Sequence, residues 1–134
     1  MFLLVFGGAI ARIATAVIVL KVFSQRYVEI LAIFLAVIAA LYVGPTIGGG
    51  QPAYFLEFIV ALLLIALCVY AVRGSLLVLA AGYALHGLWD LAHGPLVPHV
   101  LPVWYAPLCV GYDIAVAACI VYFYFKSQSS ELRS

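Results

Sequence analysis

Charged side chains are scarce in this sequence of 134 residues. Asp, Glu, Lys and Arg make up 8% of the chain, whereas 69% of the residues are hydrophobic. In soluble domains about 25% of the residues are charged, so this composition excludes an ordinary water-soluble domain. The basic residues are few and the formal net charge is +1. That balance offers no basic surface for nucleic acid, and we expect no nucleic-acid partner.

Cysteines and catalytic sequence motifs are also few. The three cysteines, Cys68, Cys109 and Cys119, lie in apolar stretches, and an odd set of buried cysteines gives no disulfide framework. The sequence contains no phosphate-binding loop, no GxSxG nucleophile elbow and no HExxH zinc motif. The chemistry of the chain must therefore come from polar residues within its apolar segments.

Long hydrophobic runs dominate the sequence. Five segments, residues 2–23, 27–46, 53–72, 75–93 and 103–125, are each close to the ~20 residues that cross a ~30 Å hydrocarbon core. Residues 2–13 lack the positive start of a signal peptide and contain Arg12, so we expect a retained first helix. The sequence predicts an all-α, polytopic membrane protein, in which residues 1–134 form one domain, a bundle of five transmembrane helices.

Basic residues mark alternate connections between these segments. Lys21 and Arg26 lie at the first connection, Arg73 at the third, and Lys126 and Arg133 in the tail. The positive-inside rule then places the N-terminus outside and the C-terminus in the cytoplasm. We expect a bacterial cytoplasmic (inner) membrane with membrane lipid around the bundle, and a homo-oligomer or larger membrane complex remains open.

Small residues in the first segment predict a close helix contact. Gly7, Ala11 and Thr15 recur every four residues. Such a stripe allows two membrane helices to approach closely. We expect this face of the first helix to lie against a neighbouring helix.

The segment YALHGLWDLAH, residues 83–93, places three ionisable side chains on one helical face. His86, Asp90 and His93 are spaced i, i+4, i+7, which falls within a narrow arc at ~100° per residue. Inside a bilayer such groups are costly unless they are paired, ligated or hydrated. The cluster is therefore a functional-site hypothesis.

Other polar residues fall at similar depths in the predicted bundle. Glu57 lies about one turn below the outer start of the third segment, and Asp90 about one turn below the outer end of the fourth. Asp113 reaches roughly the depth of His86. The sequence thus predicts an outward-facing His/Asp/Glu site near the outer interface. Further candidate members are His93, His99, Cys109 and Arg12.

A family resemblance rests on these same residues. The glycine run at residues 48–50, Glu57 with Phe58, LHGLWDLAH at residues 85–93, and Cys109 with Asp113 follow one another along the chain. This pattern resembles an uncharacterised domain-of-unknown-function family of small bacterial integral membrane proteins with an HxxWDxxH motif. The resemblance covers about the C-terminal two-thirds. It implies a membrane protein that carries this polar motif, and it supplies no reaction.

Two enzymatic interpretations fit the cluster. In the first, His86, Asp90 and His93 bind a divalent metal together with Glu57 or Asp113; His99 and Cys109 are additional candidate ligands. Imidazole and carboxylate suit zinc, iron or manganese, and an open position would activate water for a hydrolase. In the second, His86, Asp90, Asp113 and Glu57 move protons without a metal, as in an isomerase of a lipid-like substrate. The layout is loosely similar to sterol-isomerase-type membrane proteins.

Non-enzymatic interpretations remain open beside these. His86 could be an axial ligand to haem or a chlorophyll-type pigment in a subunit of a membrane complex. The same polar residues could instead hold the bundle together, with Arg12 neutralising Asp113 or another buried acid. Arg12 could also bind an anionic substrate. An ion- or proton-translocating oligomer is a further alternative. We expect an intramembrane metal site first, and the sequence leaves the substrate unspecified.

Overall fold

The computed structural model describes residues 2–22, 26–44, 54–96 and 101–131. These residues form five helices: α1 (Phe2–Val22), α2 (Tyr27–Ala40), α3 (Tyr54–Val72), α4 (Leu76–Leu96) and α5 (Tyr105–Glu131). The described residues contain no strand, so the all-α prediction is confirmed. Two helices, Tyr54–Val72 and Tyr105–Ser130, are long and apolar enough to cross a membrane by length and composition.

Helix ends differ from the predicted ends of the apolar segments. α2 ends at Ala40 and is followed by a turn, before the predicted end at residue 46. α4 continues through Gly94 and Pro95, past the predicted end at residue 93, and α5 continues past Lys126 into a serine-rich stretch. Hydrophobicity gives the length of an apolar segment. A helix can continue into polar sequence because its backbone hydrogen bonds do not depend on apolar side chains, so its ends differ from those of the apolar segment.

α4 and α5 occupy the centre of the fold. α5 packs against both α1 and α4, while α3 packs against α2 and α4. The core between α2, α4 and α5 includes Leu35, Leu79, Tyr83 and Val116. The Tyr83 hydroxyl donates a 2.7 Å hydrogen bond to the backbone carbonyl of Leu31, which ties α4 to α2 and satisfies a buried hydroxyl.

Glycines set the close contact between α1 and α5. A Cβ atom on Gly8 would overlap the carbonyl oxygen of Leu108, and a Cβ atom on Gly111 would overlap that of Val5. Gly7 is exposed, with nothing within 4 Å of its Cβ position. The predicted contact stripe is therefore wrong by one residue, because four-residue spacing cannot distinguish two adjacent glycines whose side-chain directions differ by ~100°.

Many hydrophobic side chains are exposed on the outside of the bundle, whereas several ionisable ones are buried inside it. Leu3 is 87% exposed and Leu63 is 62% exposed. Among the described residues, five acidic, basic or imidazole side chains are buried: Arg12, Glu57, His86, Asp90 and Asp113. In water-soluble proteins charged residues are almost never fully buried unless they are paired. The described part of the bundle therefore has buried polar groups in its interior and many exposed apolar side chains on its surface.

Candidate functional site

The buried polar cluster lies between α4 and α5. His86 and Asp90 lie one turn apart on α4, and Asp113 faces them from α5. Nδ1 of His86 and Oδ2 of Asp113 form a hydrogen bond of 2.7 Å, while Nδ1 of His86 is 3.6 Å from Oδ2 of Asp90. One imidazole nitrogen thus faces two carboxyl groups, and only one of the two is within hydrogen-bond distance.

Gly87 allows α5 to approach the cluster. A Cβ atom at this position would lie 3.3 Å from the Cβ atom of Asp113, which is tighter than ordinary van der Waals contact. The glycine beside His86 therefore lets the backbone of α4 pass directly against the base of the Asp113 side chain. Helical periodicity fixes the His86 and Asp90 pair, and this small residue brings in the third member.

His86, Asp90 and Asp113 form a potential metal-ligand set. One ligand atom from each lies within 4.8 Å of the others, and all three residues are buried. Among the described residues, no partner at hydrogen-bond distance is found for Oδ1 of Asp113 or for either carboxyl oxygen of Asp90, and the Tyr42 hydroxyl is a neighbouring donor to Asp90. Buried polar atoms are normally satisfied because leaving one unpaired costs about 1–3 kcal/mol. A divalent cation would use these unpaired acceptors.

Two tyrosines border the cluster, and the sequence analysis did not include them. The Tyr42 hydroxyl is an electrostatic neighbour of Asp90. The ring of Tyr42 packs edge-on against Tyr105, with ring centroids 5.7 Å apart. Tyr42 is 2% exposed at the end of α2. The sequence indicated Tyr42 only through a phenol hydroxyl near the end of an apolar segment. The chain has nine tyrosines with the same hydroxyl group, so this signal does not single out Tyr42.

Glu57 is buried beside the cluster, outside the three-residue ligand set. The indole Nε1 of Trp89 donates a 3.2 Å hydrogen bond to Oε2 of Glu57. Glu57 also acts electrostatically on Asp90. Glu57 therefore lies near Asp90, and its described hydrogen bond is to Trp89.

The remaining predicted site residues are distributed around this centre. Cys109 is buried on α5, in electrostatic contact with Asp90 and Tyr105, and it is not part of the three-residue set. His93 belongs to α4, but its side chain lies outside the described part of the structure. His99 also lies outside the described residues. The predicted contribution of these two histidines therefore stays a prediction.

Arg12 is buried on α1 and contacts a tyrosine. Its Nη1 donates a 3.4 Å hydrogen bond to the Tyr112 hydroxyl, and its guanidinium carbon is 5.5 Å from the centroid of that ring. The ion pairs among the described residues involve His86 with Asp90 and Asp113, and none involves Arg12. Asp113 is an electrostatic neighbour of Arg12. Arg12 and Asp113 form no direct ion pair among the described residues, so neutralisation of Asp113 by Arg12 stays a hypothesis.

Comparison with known proteins identifies a family and no activity. Residues 5–129 match a family of unknown function, DUF6010, and this region contains the whole buried cluster. No curated protein and no solved structure matches the chain. The predicted resemblance to an uncharacterised family is confirmed, while the HxxWDxxH signature and bacterial origin stay predictions. Because the match covers nearly all of its length, the chain belongs to the family of unknown function DUF6010.

Proposed function

We propose that this chain is an integral membrane protein that binds a divalent transition metal through His86, Asp90 and Asp113. The observation that carries the proposal is the buried set of three ligand groups within 4.8 Å of one another. Imidazole with two carboxylates suits zinc, iron or manganese. An ion there would replace the proton between His86 and Asp113 and would use the acceptors left unpaired on Asp90.

Membrane insertion is supported by where the hydrophobic and ionisable side chains lie. Apolar side chains such as Phe6 and Leu63 are exposed, while the ionisable residues of the site are buried. In a bilayer, ionisable residues face the bundle interior and pair with one another, as they do here. We propose that all five helices cross the membrane, with the N-terminus outside and the site in the outer half.

A metal-assisted reaction on a lipid-like substrate is the enzymatic form of this proposal. Three protein ligands would leave an open position at which an ion could activate water, which suits a hydrolase. The chain's own contribution would be to hold the ligands in a site closed to bulk water. His86 and Asp113 would also be placed to exchange a proton through their 2.7 Å hydrogen bond, and that contact favours metal-free isomerase chemistry as the second candidate.

Haem or chlorophyll-type pigment binding has less support. A macrocycle needs open space beside its axial histidine, whereas His86 is 1% exposed and lies between two carboxyl groups. A purely structural network remains a non-enzymatic alternative, as does an ion- or proton-translocating oligomer. The hydrogen-bonded side chains of the cluster would suit a structural network or a translocating oligomer. Measuring the metal content of the protein distinguishes these two alternatives from the metal proposal.

Metal content should depend on the two aspartates of the cluster. We expect detergent-purified protein to carry close to one equivalent of a transition metal, and Asp90→Asn and Asp113→Asn to lose most of it, since removing a ligand lowers affinity. Elemental analysis measures this directly. Glu57→Gln is the matched control, because it makes the same carboxylate-to-amide change at a buried acid and keeps an acceptor for Trp89. Equal metal loss in the control, or a metal-free wild type, would refute the proposed ligand set.

The proposed orientation has its own test. A reporter enzyme fused after Ser134 should be active only in the cytoplasm, because the basic residues at alternate connections orient the bundle. A second fusion, after Gln51 in the second connection, is the control. Its reporter should be active on the outer side of the membrane. Cytoplasmic activity from both fusions would contradict five spans.

A further inference from the structure

A separate apolar cavity opens among α1, α2, α4 and α5. Its volume is about 270 Å³, close to the lower limit of about 300 Å³ for small-molecule pockets. Val19, Leu31, Leu76 and Ile120 supply one apolar wall residue from each helix. His86, Asp90 and Asp113 are not among its described lining residues. The cavity is therefore a second feature of the bundle, distinct from the His86 cluster.

Arg12 is the one charged residue among the described residues that line this cavity. It is 2% exposed. A guanidinium keeps its charge and has five N–H donors, yet in the described part of the chain the hydrogen bond to Tyr112 is 3.4 Å long and Nε has no partner. A buried cation without a close anion is costly in an apolar surrounding. Among its described lining residues the cavity thus contains a buried guanidinium with an unused donor and no carboxylate.

We propose that this cavity binds an aliphatic carboxylate, such as a long-chain fatty acid. A guanidinium matches a carboxylate through two parallel hydrogen bonds, and Arg12 offers that geometry in the cavity wall. The hydrocarbon chain would extend from Arg12 along the apolar lining residues Val19, Leu31 and Ile120; Arg12 and Val19 are about 10 Å apart along α1 at 1.5 Å per residue. The proposal does not require a metal at the His86 cluster.

The opening of the cavity fits entry from a bilayer. Phe123 lines the cavity and is 48% exposed, so one wall reaches the outer surface of the bundle. Ser127 and Tyr27 lie toward the end of the bundle at which α2 begins. A chain that enters sideways past Phe123 would bring its carboxylate to Arg12 without crossing water.

Binding of radiolabelled palmitate to the full-length protein in phosphatidylcholine nanodiscs tests this proposal. We expect saturable binding to wild type, at least about tenfold weaker binding to Arg12→Gln, and partial retention in Arg12→Lys, because a charge-assisted pair exceeds one factor of ten in affinity. Unlabelled palmitate should compete at least about tenfold better than hexadecanol, which has the same chain and no carboxylate. Equal competition by hexadecanol, or no saturable binding to wild type, would overturn the proposal.

A cavity-filling variant keeps the test decisive if Arg12→Gln fails to fold. Cys119→Trp adds a large ring to the cavity wall and leaves Arg12 in place, so palmitate binding should fall by a similar factor. Ile33→Trp, on an exposed face that does not line the cavity, is the control. Unchanged binding in Cys119→Trp would place the ligand elsewhere and refute the proposal. Metal analysis of the same samples reports on the His86 cluster independently.

Discussion

Gly111→Leu is expected to separate α1 from α5 and to destabilise the bundle by at least about 3 kcal/mol, the upper end of the usual cost of overpacking. The reason is that a Cβ atom at Gly111 would overlap the backbone carbonyl oxygen of Val5, and backbone cannot rotate away as a side chain can. Gly8→Leu should have the same effect through Leu108. Thermal unfolding of the purified protein in detergent measures both changes.

Gly7→Leu is the matched control for these two variants. It introduces the same side chain into the same helix, one residue from Gly8, at an exposed position with nothing within 4 Å. We expect its stability to equal or slightly exceed that of wild type, because leucine has a higher helix propensity than glycine. If Gly7→Leu and Gly8→Leu shift the melting temperature equally, α1 does not pack on α5 through the Gly8 face.

Helical periodicity and depth predicted much of the site because both follow from regular helix geometry. The i, i+4 spacing placed His86 and Asp90 on one face, and they lie 3.6 Å apart at their closest ligand atoms. Counting residues from the outer end of each predicted span placed Asp113 near the level of His86. The two side chains are hydrogen-bonded at 2.7 Å. These relations require only the rise and the turn angle of an α-helix.

Contacts that depend on how helices rotate against one another could not be predicted from the sequence. The described hydrogen-bond partner of Glu57 is the indole of Trp89, which the predicted depth of Glu57 did not indicate. Arg12 contacts the Tyr112 phenol, although a carboxylate would have been the simpler expectation for a buried cation. In each case the partner is chosen by side-chain packing at an interface, which spacing along one helix does not determine.

His86→Ala is expected to be strongly destabilising even without a metal. In the presence of a chelator, it leaves the buried carboxyl groups of Asp90 and Asp113 facing each other without the imidazole between them. Breaking a buried pair by removing one partner costs roughly 3–5 kcal/mol. Adding Asp113→Asn to His86→Ala should cost less than the sum of the two single changes by at least about 1 kcal/mol, as expected for residues in direct contact. Denaturation of the four proteins of this cycle gives that coupling.

Glu57→Gln combined with His86→Ala provides the control cycle, since the described hydrogen bond of Glu57 is to Trp89. Its two changes should be closer to additive. Adding the metal back then distinguishes the effect of metal binding from that of packing. An ion present at about one hundred times its dissociation constant should raise the free energy of unfolding of wild type by about 2.7 kcal/mol. The increase for His86→Ala should be much smaller. Additivity in both cycles would contradict the His86–Asp113 hydrogen bond as a stabilising contact. A gain in His86→Ala equal to that of wild type would show that the ion binds at other residues, because linkage stabilises only the species that binds the ion.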